Sequence, residues 1–124
     1  MPLVSKRKLS KNIEERMFET LWEAISKLNS KQDIQSFLAD LLSPVEIQMI
    51  AKRMAIAALL ARGYGYESIQ DIIKVSDATV AKVSRALNNN PGYKIAINKI
   101  ARSEATQEFW HDIENLVYRL SSPG

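Results

Sequence analysis

Cysteine is absent from this sequence of 124 residues, and histidine occurs once, as His111. The absence of cysteine excludes disulfide bonds, thiolate metal ligands and cysteine nucleophiles. The longest purely apolar run, Met54 to Ala61, is far too short to cross a bilayer. The basic N-terminus has no apolar stretch behind it, so we expect no secretory signal. Together these absences predict a small cytoplasmic protein that has no membrane partner.

Residue patterns typical of catalysis are also missing. No motif places a serine or carboxylate as a partner for His111, and the acids Asp112 and Glu114 fit a solvated helix face. Gly63 and Gly65 do not form a phosphate loop, because no strand precedes them and no Gly-Lys-Ser/Thr follows. We therefore expect a protein that is not an enzyme and that binds no metal or cofactor.

Charge is distributed unevenly along the chain, although the net charge is only +3. Residues 1–11 carry a net +4, residues 12–48 a net −4, residues 49–102 a net +6 and residues 103–124 a net −3. A basic middle segment favours a polyanion such as nucleic acid as its partner. Chance segregation of charge in a short chain would give the same pattern, so charge alone does not identify the partner.

Apolar residues recur at helical spacing in every long segment, and no segment alternates as a strand does. This pattern predicts an all-α protein. Helix starts are expected near Asn12, Ser30 and Ser43, whereas residues 93–102 fit either a helix or extended chain. We expect a basic N-terminal arm over residues 1–11, a main domain over 12–102, and an acidic amphipathic helix over 103–124 that extends the same domain.

The helix predicted from Ser43 to Arg62 is apolar on nearly every face. Ser43 and Glu46 have the spacing of a capping box, and Gly63 is a good terminator. Between Met49 and Ala61 the only polar residues are Lys52 and Arg53. Such a helix must be buried on nearly all sides, which a small single chain does not provide. We therefore expect a homodimer in which this helix and the N-terminal helices interlock.

The segment from Tyr66 to Leu87 has the spacing of a helix-turn-helix. Val75 supplies the apolar turn residue, and the second helix has β-branched residues one turn apart, at Val80 and Val83. Small residues near its start permit close approach to base edges, and its cations reach phosphate or guanine. The residues predicted to contact DNA are Ser76, Asp77, Ala78, Thr79, Ala81, Lys82 and Arg85.

Two positions depart from the helix-turn-helix template. Gln70 stands where a small residue is usual, and Lys74 stands where glycine is usual. A lysine at that position must hold a positive φ, or the turn must differ. A plain amphipathic helical hairpin would show the same β-branched stripe, so the spacing leaves that alternative open.

A wider set of residues, within roughly residues 12–100, matches a known pattern: Glu46-Ile47-Gln48, Ala51, Arg53, Leu59, Leu60, Gly63, Tyr66, Ile69, Ser76-x-Ala78-Thr79, Val83, Arg85 and Leu87-Asn88. On these residues the sequence resembles the Trp repressor family, and in particular its YerC/YecD-type branch. The resemblance implies an all-α, intertwined helical homodimer with a helix-turn-helix on each protomer. It also implies sequence-specific binding to double-stranded DNA and control of transcription.

The same resemblance bears on the family's ligand. In the tryptophan-binding members two arginines sandwich the indole, and the corresponding residues here are Arg53 and Lys82. Lys82 lacks the flat guanidinium that stacks on a ring. Val83 stands where a small residue lets the ligand approach and is expected to fill that space, and Ala86 replaces a serine that contacts the amino group. Tryptophan is therefore not expected as a ligand, and no other effector is indicated.

A second hypothesis is a helical protein-interaction module that has no direct contact with DNA. The acidic amphipathic helix from Glu104 to Leu120 supports it, because such a helix can serve as a docking arm. In a DNA-binding dimer, Lys82 and Arg85 would lie on one open face, about 34 Å from their mates. That spacing distinguishes the two hypotheses.

Overall fold

The computed structural model describes residues 7–121, so most of the predicted basic arm and residues 122–124 lie outside the described residues. Within this range the chain forms seven helices and no strand, which confirms the all-α prediction. The helices are α1 (Lys11–Lys27), α2 (Lys31–Leu41), α3 (Pro44–Ala61), α4 (Tyr66–Ile73), α5 (Asp77–Asn89), α6 (Gly92–Ile100) and α7 (Glu104–Ser121). The chain divides into two compact units between Ile47 and Gln48.

Local capping sets the helix starts in the first unit. The Ser30 hydroxyl accepts a hydrogen bond from the backbone N–H of Asp33 at 3.0 Å, as the predicted start of α2 requires. The predicted capping start at Asn12 is wrong, because α1 begins at Lys11. Ser10 flanks that helix without a side-chain capping bond.

The capping box at the start of α3 is confirmed. The Glu46 N–H donates to the Ser43 hydroxyl at 3.2 Å, and the Ser43 N–H donates to the Glu46 carboxylate at 2.9 Å. The backbone hydrogen bond from Ser43 holds the pKa of the Glu46 carboxyl below its usual value. Two donors that the helix cannot satisfy internally are thereby paired.

The first unit leaves much of its apolar surface uncovered. Neither α1 nor α2 buries any residue. The rings of Phe18 and Trp22 stack with their centroids 6.4 Å apart, yet 60% of Trp22 remains exposed. An apolar cleft of about 620 Å³ lies along α1 and includes Met17, Leu21 and Phe37.

The second unit has a continuous hydrophobic core that four helices build. α3 contributes Ile56, Ala57 and Leu59, α4 contributes Ile69, α5 contributes Val80 and Val83, and α7 contributes Ile113. This core holds the α4–α5 pair against α3, so the apolar periodicity of the sequence fixes which side of α5 is buried.

The chain after α5 is helical throughout its basic segment. Residues 93–102, whose conformation the sequence left open, fall largely within α6, which follows Pro91. Proline and glycine at this break end one helix and allow the next to begin in a new direction. The described part of the chain contains no helix of the length and hydropathy that a membrane span requires.

The acidic helix α7 packs on the second unit through aromatic and charged contacts. The guanidinium of Arg62, just after α3, lies 4.2 Å from the centre of the Trp110 ring and pairs with Glu114 at 3.8 Å. Trp110 also stacks on Tyr64, with ring centroids 6.4 Å apart. α7 therefore belongs to the second unit, although the polar side of the helix stays in solvent.

Candidate nucleic-acid interface

The helices α4 and α5 form a closely packed pair joined by a three-residue turn. Ile69 and Val80 are fully buried, Val83 is 2% exposed, and Val75 in the turn is half-buried. Val75, Val80 and Val83 are the apolar residues on which the predicted helix-turn-helix spacing rests. The arrangement is that of a helix-turn-helix, with α5 in the place of the recognition helix.

The turn holds a lysine in the left-handed conformation. Lys74 has φ 62° and ψ 61°, so the turn keeps the glycine-type geometry although the residue is not glycine. The Lys74 N–H donates to the Gln70 carbonyl at 2.9 Å. The ammonium of Lys52, on α3, donates to the Lys74 carbonyl at 3.1 Å. Tertiary contact therefore supports the turn.

Side-chain hydrogen bonds fix the first turn of α5. The Ser76 hydroxyl accepts from the Thr79 N–H at 3.2 Å and lies 3.0 Å from the Thr79 hydroxyl. The Gln70 amide donates to the Asp77 carboxylate at 3.3 Å. Gln70, which departs from the template, thus ties the first helix to the start of the second.

The predicted site residues are distributed between the outer side of α5 and its flank. Exposed positions are Ser76, Asp77, Ala78, Lys82 and Arg85, whereas Thr79 and Ala81 are half-buried. The hydroxyls of Ser76 and Thr79 bond to each other and to the helix start, so they position α5. Asp77, Ala78, Lys82 and Arg85 lie on its open side, opposite the buried Val80, Val83 and Leu87.

A cleft lies beside this open side, between α3, α5 and α6. It is lined by Arg53, Ala78, Thr79, Lys82, Val83, Ala86 and Tyr93 and has a volume of about 300 Å³. Val83 is 2% exposed and belongs to the core, yet it also lines this cleft, so the expectation that it fills the space of an indole stays a prediction. The chemical departures at Lys82 and Ala86 remain.

Sequence reasoning did not assign three residues that border this region. Tyr93 lines the cleft, and its signal is an aromatic residue directly after the Pro91-Gly92 break. The Lys52 ammonium bonds to the Lys74 carbonyl in the turn. The signal for Lys52 is its position as one of two cations in an apolar helix. Within residues 7–121 no group of three His, Cys, Asp or Glu residues is placed to hold a metal ion.

Comparisons with known proteins identify a single family. The family profile described as Trp repressor protein matches residues 16–101. The YerC protein of Bacillus subtilis (strain 168), described as uncharacterized, is 31% identical over 87 residues, which cover 69% of this chain and 84% of YerC.

Solved structures also share the fold. A protein from Staphylococcus aureus, provisionally called a Trp repressor, has a TM-score of 0.67 and 27% identity, covering 74% of this chain and 96% of that chain. A TrpR-like protein from Eubacterium eligens ATCC 27750 has a TM-score of 0.68 and 25% identity, covering 77% of this chain and 99% of that chain.

The family match begins within α1 and ends just after α6, so α7 lies beyond it. The matched residues include α3, the α4–α5 pair and the cleft beside α5, which are the features that carry the resemblance in the sequence. The resemblance inferred from residues 12–100 is confirmed. This chain belongs to the Trp repressor family, in the branch that includes YerC.

Proposed function

We propose that the protein is a sequence-specific DNA-binding regulator of transcription that acts as a homodimer. The observation that carries the proposal is the exposure pattern of α5, which buries Val80 and Val83 and leaves Lys82 and Arg85 in solvent. Membership of a family of regulators supports it. Because a regulator of transcription acts on DNA, we place this function in the cytoplasm of a bacterial cell.

Readout is assigned to two groups of residues on α5. In a helix-turn-helix complex the N-terminal residues of the second helix contact base edges in the major groove. Asp77, Ala78 and Ala81 occupy that part of α5 here, with small side chains that allow close approach. Lys82 and Arg85 lie further along the open side and reach phosphate or the guanine edge.

The homodimer is supported by the apolar surface that a single chain leaves uncovered. On α1 the exposed residues include Met17, Phe18 and Trp22, and on α3 they include Val45 and Ile50. Exposed surface of this extent marks an interaction site rather than a monomer's surface. A second copy of the chain, with the same apolar helices, would cover it in an interface above about 2,000 Å².

DNA binding is proposed to be independent of tryptophan. The cleft beside α5 has space for a ligand, but its lining includes Arg53 and Lys82 rather than two guanidinium groups. An ammonium is a compact, strongly hydrated charge that does not stack flat on a ring. Ala86 offers no hydroxyl for an amino group. Arg53 and Lys82 are therefore assigned no tryptophan-binding role.

Selection from a pool of random duplexes tests the function. We expect recovery of a palindromic sequence whose half-sites are centred about 10 base pairs, or one helical turn, apart. A pool that shows no enrichment after repeated rounds would contradict the proposal. That outcome would favour the interaction module, in which α7 would be the docking element.

A further inference from the structure

We infer that Lys74 is a further phosphate contact, and that the chain retains a strained lysine in the turn for its charge. The inference rests on the proposed DNA-binding function and adds a residue to that surface. It is carried by the conformation of Lys74, by the contacts that hold its backbone, and by the place of the turn between the two helices.

The backbone of Lys74 has a conformation that glycine adopts more easily. Within residues 7–121 it is the one residue other than glycine with a positive φ, at 62°. The left-handed region brings Cβ close to the backbone oxygen, whereas glycine has no Cβ and avoids this clash. A lysine here lowers stability relative to glycine, so its presence calls for an advantage elsewhere.

The surrounding structure holds this strained backbone from two sides. The Lys74 N–H bonds to the Gln70 carbonyl at 2.9 Å and closes the end of α4. The Lys52 ammonium donates to the Lys74 carbonyl at 3.1 Å across 22 residues of sequence. Strained residues persist where contacts over-determine them, and they cluster at functional sites. The Lys52 bond also fixes a second positive charge beside the turn.

The side chain of Lys74 has no structural partner that would explain its retention. Lys74 is exposed, and in the described part of the chain its ammonium joins no ion pair. Removing the side chain would therefore cost no ion pair and no buried contact. What the residue adds to the turn is an exposed positive charge, near that of Lys52.

The position of the turn identifies the partner of this charge. In a helix-turn-helix complex the first helix crosses the phosphate backbone and the second enters the major groove. Lys74 ends α4, and Ser76 caps α5 two residues later. Lys74 therefore lies between the helix that crosses the DNA phosphates and the helix that enters the major groove. Its four-carbon side chain is long enough to bring the ammonium to a phosphate.

The test uses the full-length protein and a duplex obtained by selection with it. Lys74→Gly is expected to raise the melting temperature by about 2–6 °C through relief of strain. The same variant is expected to bind at least about tenfold more weakly at roughly 0.1 M salt. The slope of log affinity against log salt should flatten by about 1.8, because a dimer loses two phosphate contacts.

Two further variants separate charge from backbone geometry. Lys74→Asn removes the charge but tolerates the left-handed conformation, so we expect the same loss of affinity with little change in melting temperature. Lys74→Arg keeps the charge and is expected to bind within about twofold of the wild type. Wild-type affinity and slope in the Gly and Asn variants would overturn the inference. An Arg variant as weak as the Gly variant would do so too.

Failure of the underlying function has a different signature. If the wild-type protein binds no selected duplex, the proposed function fails and this inference falls with it. If the wild type binds and Lys74→Gly binds equally well, the function stands and only the role of Lys74 is overturned.

Discussion

In the first turn of α5, some side chains hold the helix and others face outward. The hydroxyls of Ser76 and Thr79 lie 3.0 Å apart and secure the helix start. Lys82 and Arg85 follow on the open side, three residues apart, and neither belongs to an ion pair within residues 7–121. Unpaired cations on a helix of this kind are available to phosphate without first breaking a contact in the protein.

Removal of these cations should weaken binding through charge alone. We expect Lys82→Ala and Arg85→Ala each to reduce affinity for a selected duplex and to flatten the salt slope by about 1.8 per dimer. Because both side chains are exposed, the melting temperature should change little. Fluorescence anisotropy at several salt concentrations measures both quantities.

Arg119→Ala is the matched control for this experiment. It removes the same charge from an exposed position on α7, so any effect of net charge appears there too. If the Lys82 and Arg85 variants behave like Arg119→Ala, the open side of α5 does not face DNA.

The cleft residues make a separate prediction about tryptophan. Because Lys82 replaces a stacking guanidinium and Ala86 lacks a hydroxyl, calorimetry with millimolar L-tryptophan should show no saturable heat. The affinity for a selected duplex should not change when tryptophan is added. A dissociation constant in the micromolar range would contradict this expectation. The measurement is informative because the cleft of about 300 Å³ offers space for a ligand.

Among the elements, α7 is the one that the family match does not include. Its Ile113 is 6% exposed and belongs to the same core as Ile69 and Val80. Arg62 joins the end of α3 to α7 through Trp110 and Glu114. The apolar side of α7 therefore packs in the same core as α4 and α5.

Truncation of this core contact should destabilise the protein. We expect Ile113→Ala to lower the free energy of unfolding by about 2–4 kcal/mol, because it leaves a cavity among buried residues. Chemical denaturation followed by circular dichroism measures the change. Tyr118→Ala is a suitable control, because Tyr118 lies on the same helix and is 73% exposed. Equal losses from the two substitutions would contradict the assigned packing of α7.

Local signals account for the elements that the sequence predicted correctly. Each of these signals lies within a few residues of the helix end that it determines. The start of α3 is determined by Ser43 with Glu46, its end by Gly63, and the start of α5 by Ser76. The pattern of residues 93–102 fits either a helix or extended chain, so the sequence did not predict α6. At α1 the expected cap at Asn12 is wrong because the helix begins two residues earlier than that cap requires, at Lys11, and the flanking Ser10 makes no side-chain capping bond.

The candidate site was predictable where it depends on helical periodicity. The exposure of Lys82 and Arg85 follows from the burial of Val80 and Val83, because the spacing of residues along a helix determines which side of the helix each one occupies. The hydrogen bond from the Lys52 ammonium to the Lys74 carbonyl links two residues that are 22 positions apart in the sequence, and no local pattern specifies it. The cleft also depends on packing, because its lining comes from three helices that are distant in sequence, α3, α5 and α6.

For the whole molecule, the division into an arm over residues 1–11, a domain over 12–102 and an extension over 103–124 stays a prediction. The clearest feature at this scale is the uncovered apolar surface of α1, with Trp22 60% exposed. We expect sedimentation at micromolar protein to show a dimer with no folded monomer, because an interface of the obligate class is needed to cover that surface. A folded monomer would contradict the proposed assembly.

The most direct test of the account is a titration of the selected duplex, and of a shuffled duplex of equal length, at several salt concentrations. Lys82 and Arg85 on each of two protomers give four phosphate contacts, so the log–log slope should be about −3.6 or steeper. The selected duplex should bind at least about a thousandfold more tightly than the shuffled one. Equal affinities for the two duplexes, or affinities that do not change with salt, would contradict the claim that this protein is a sequence-specific DNA-binding regulator.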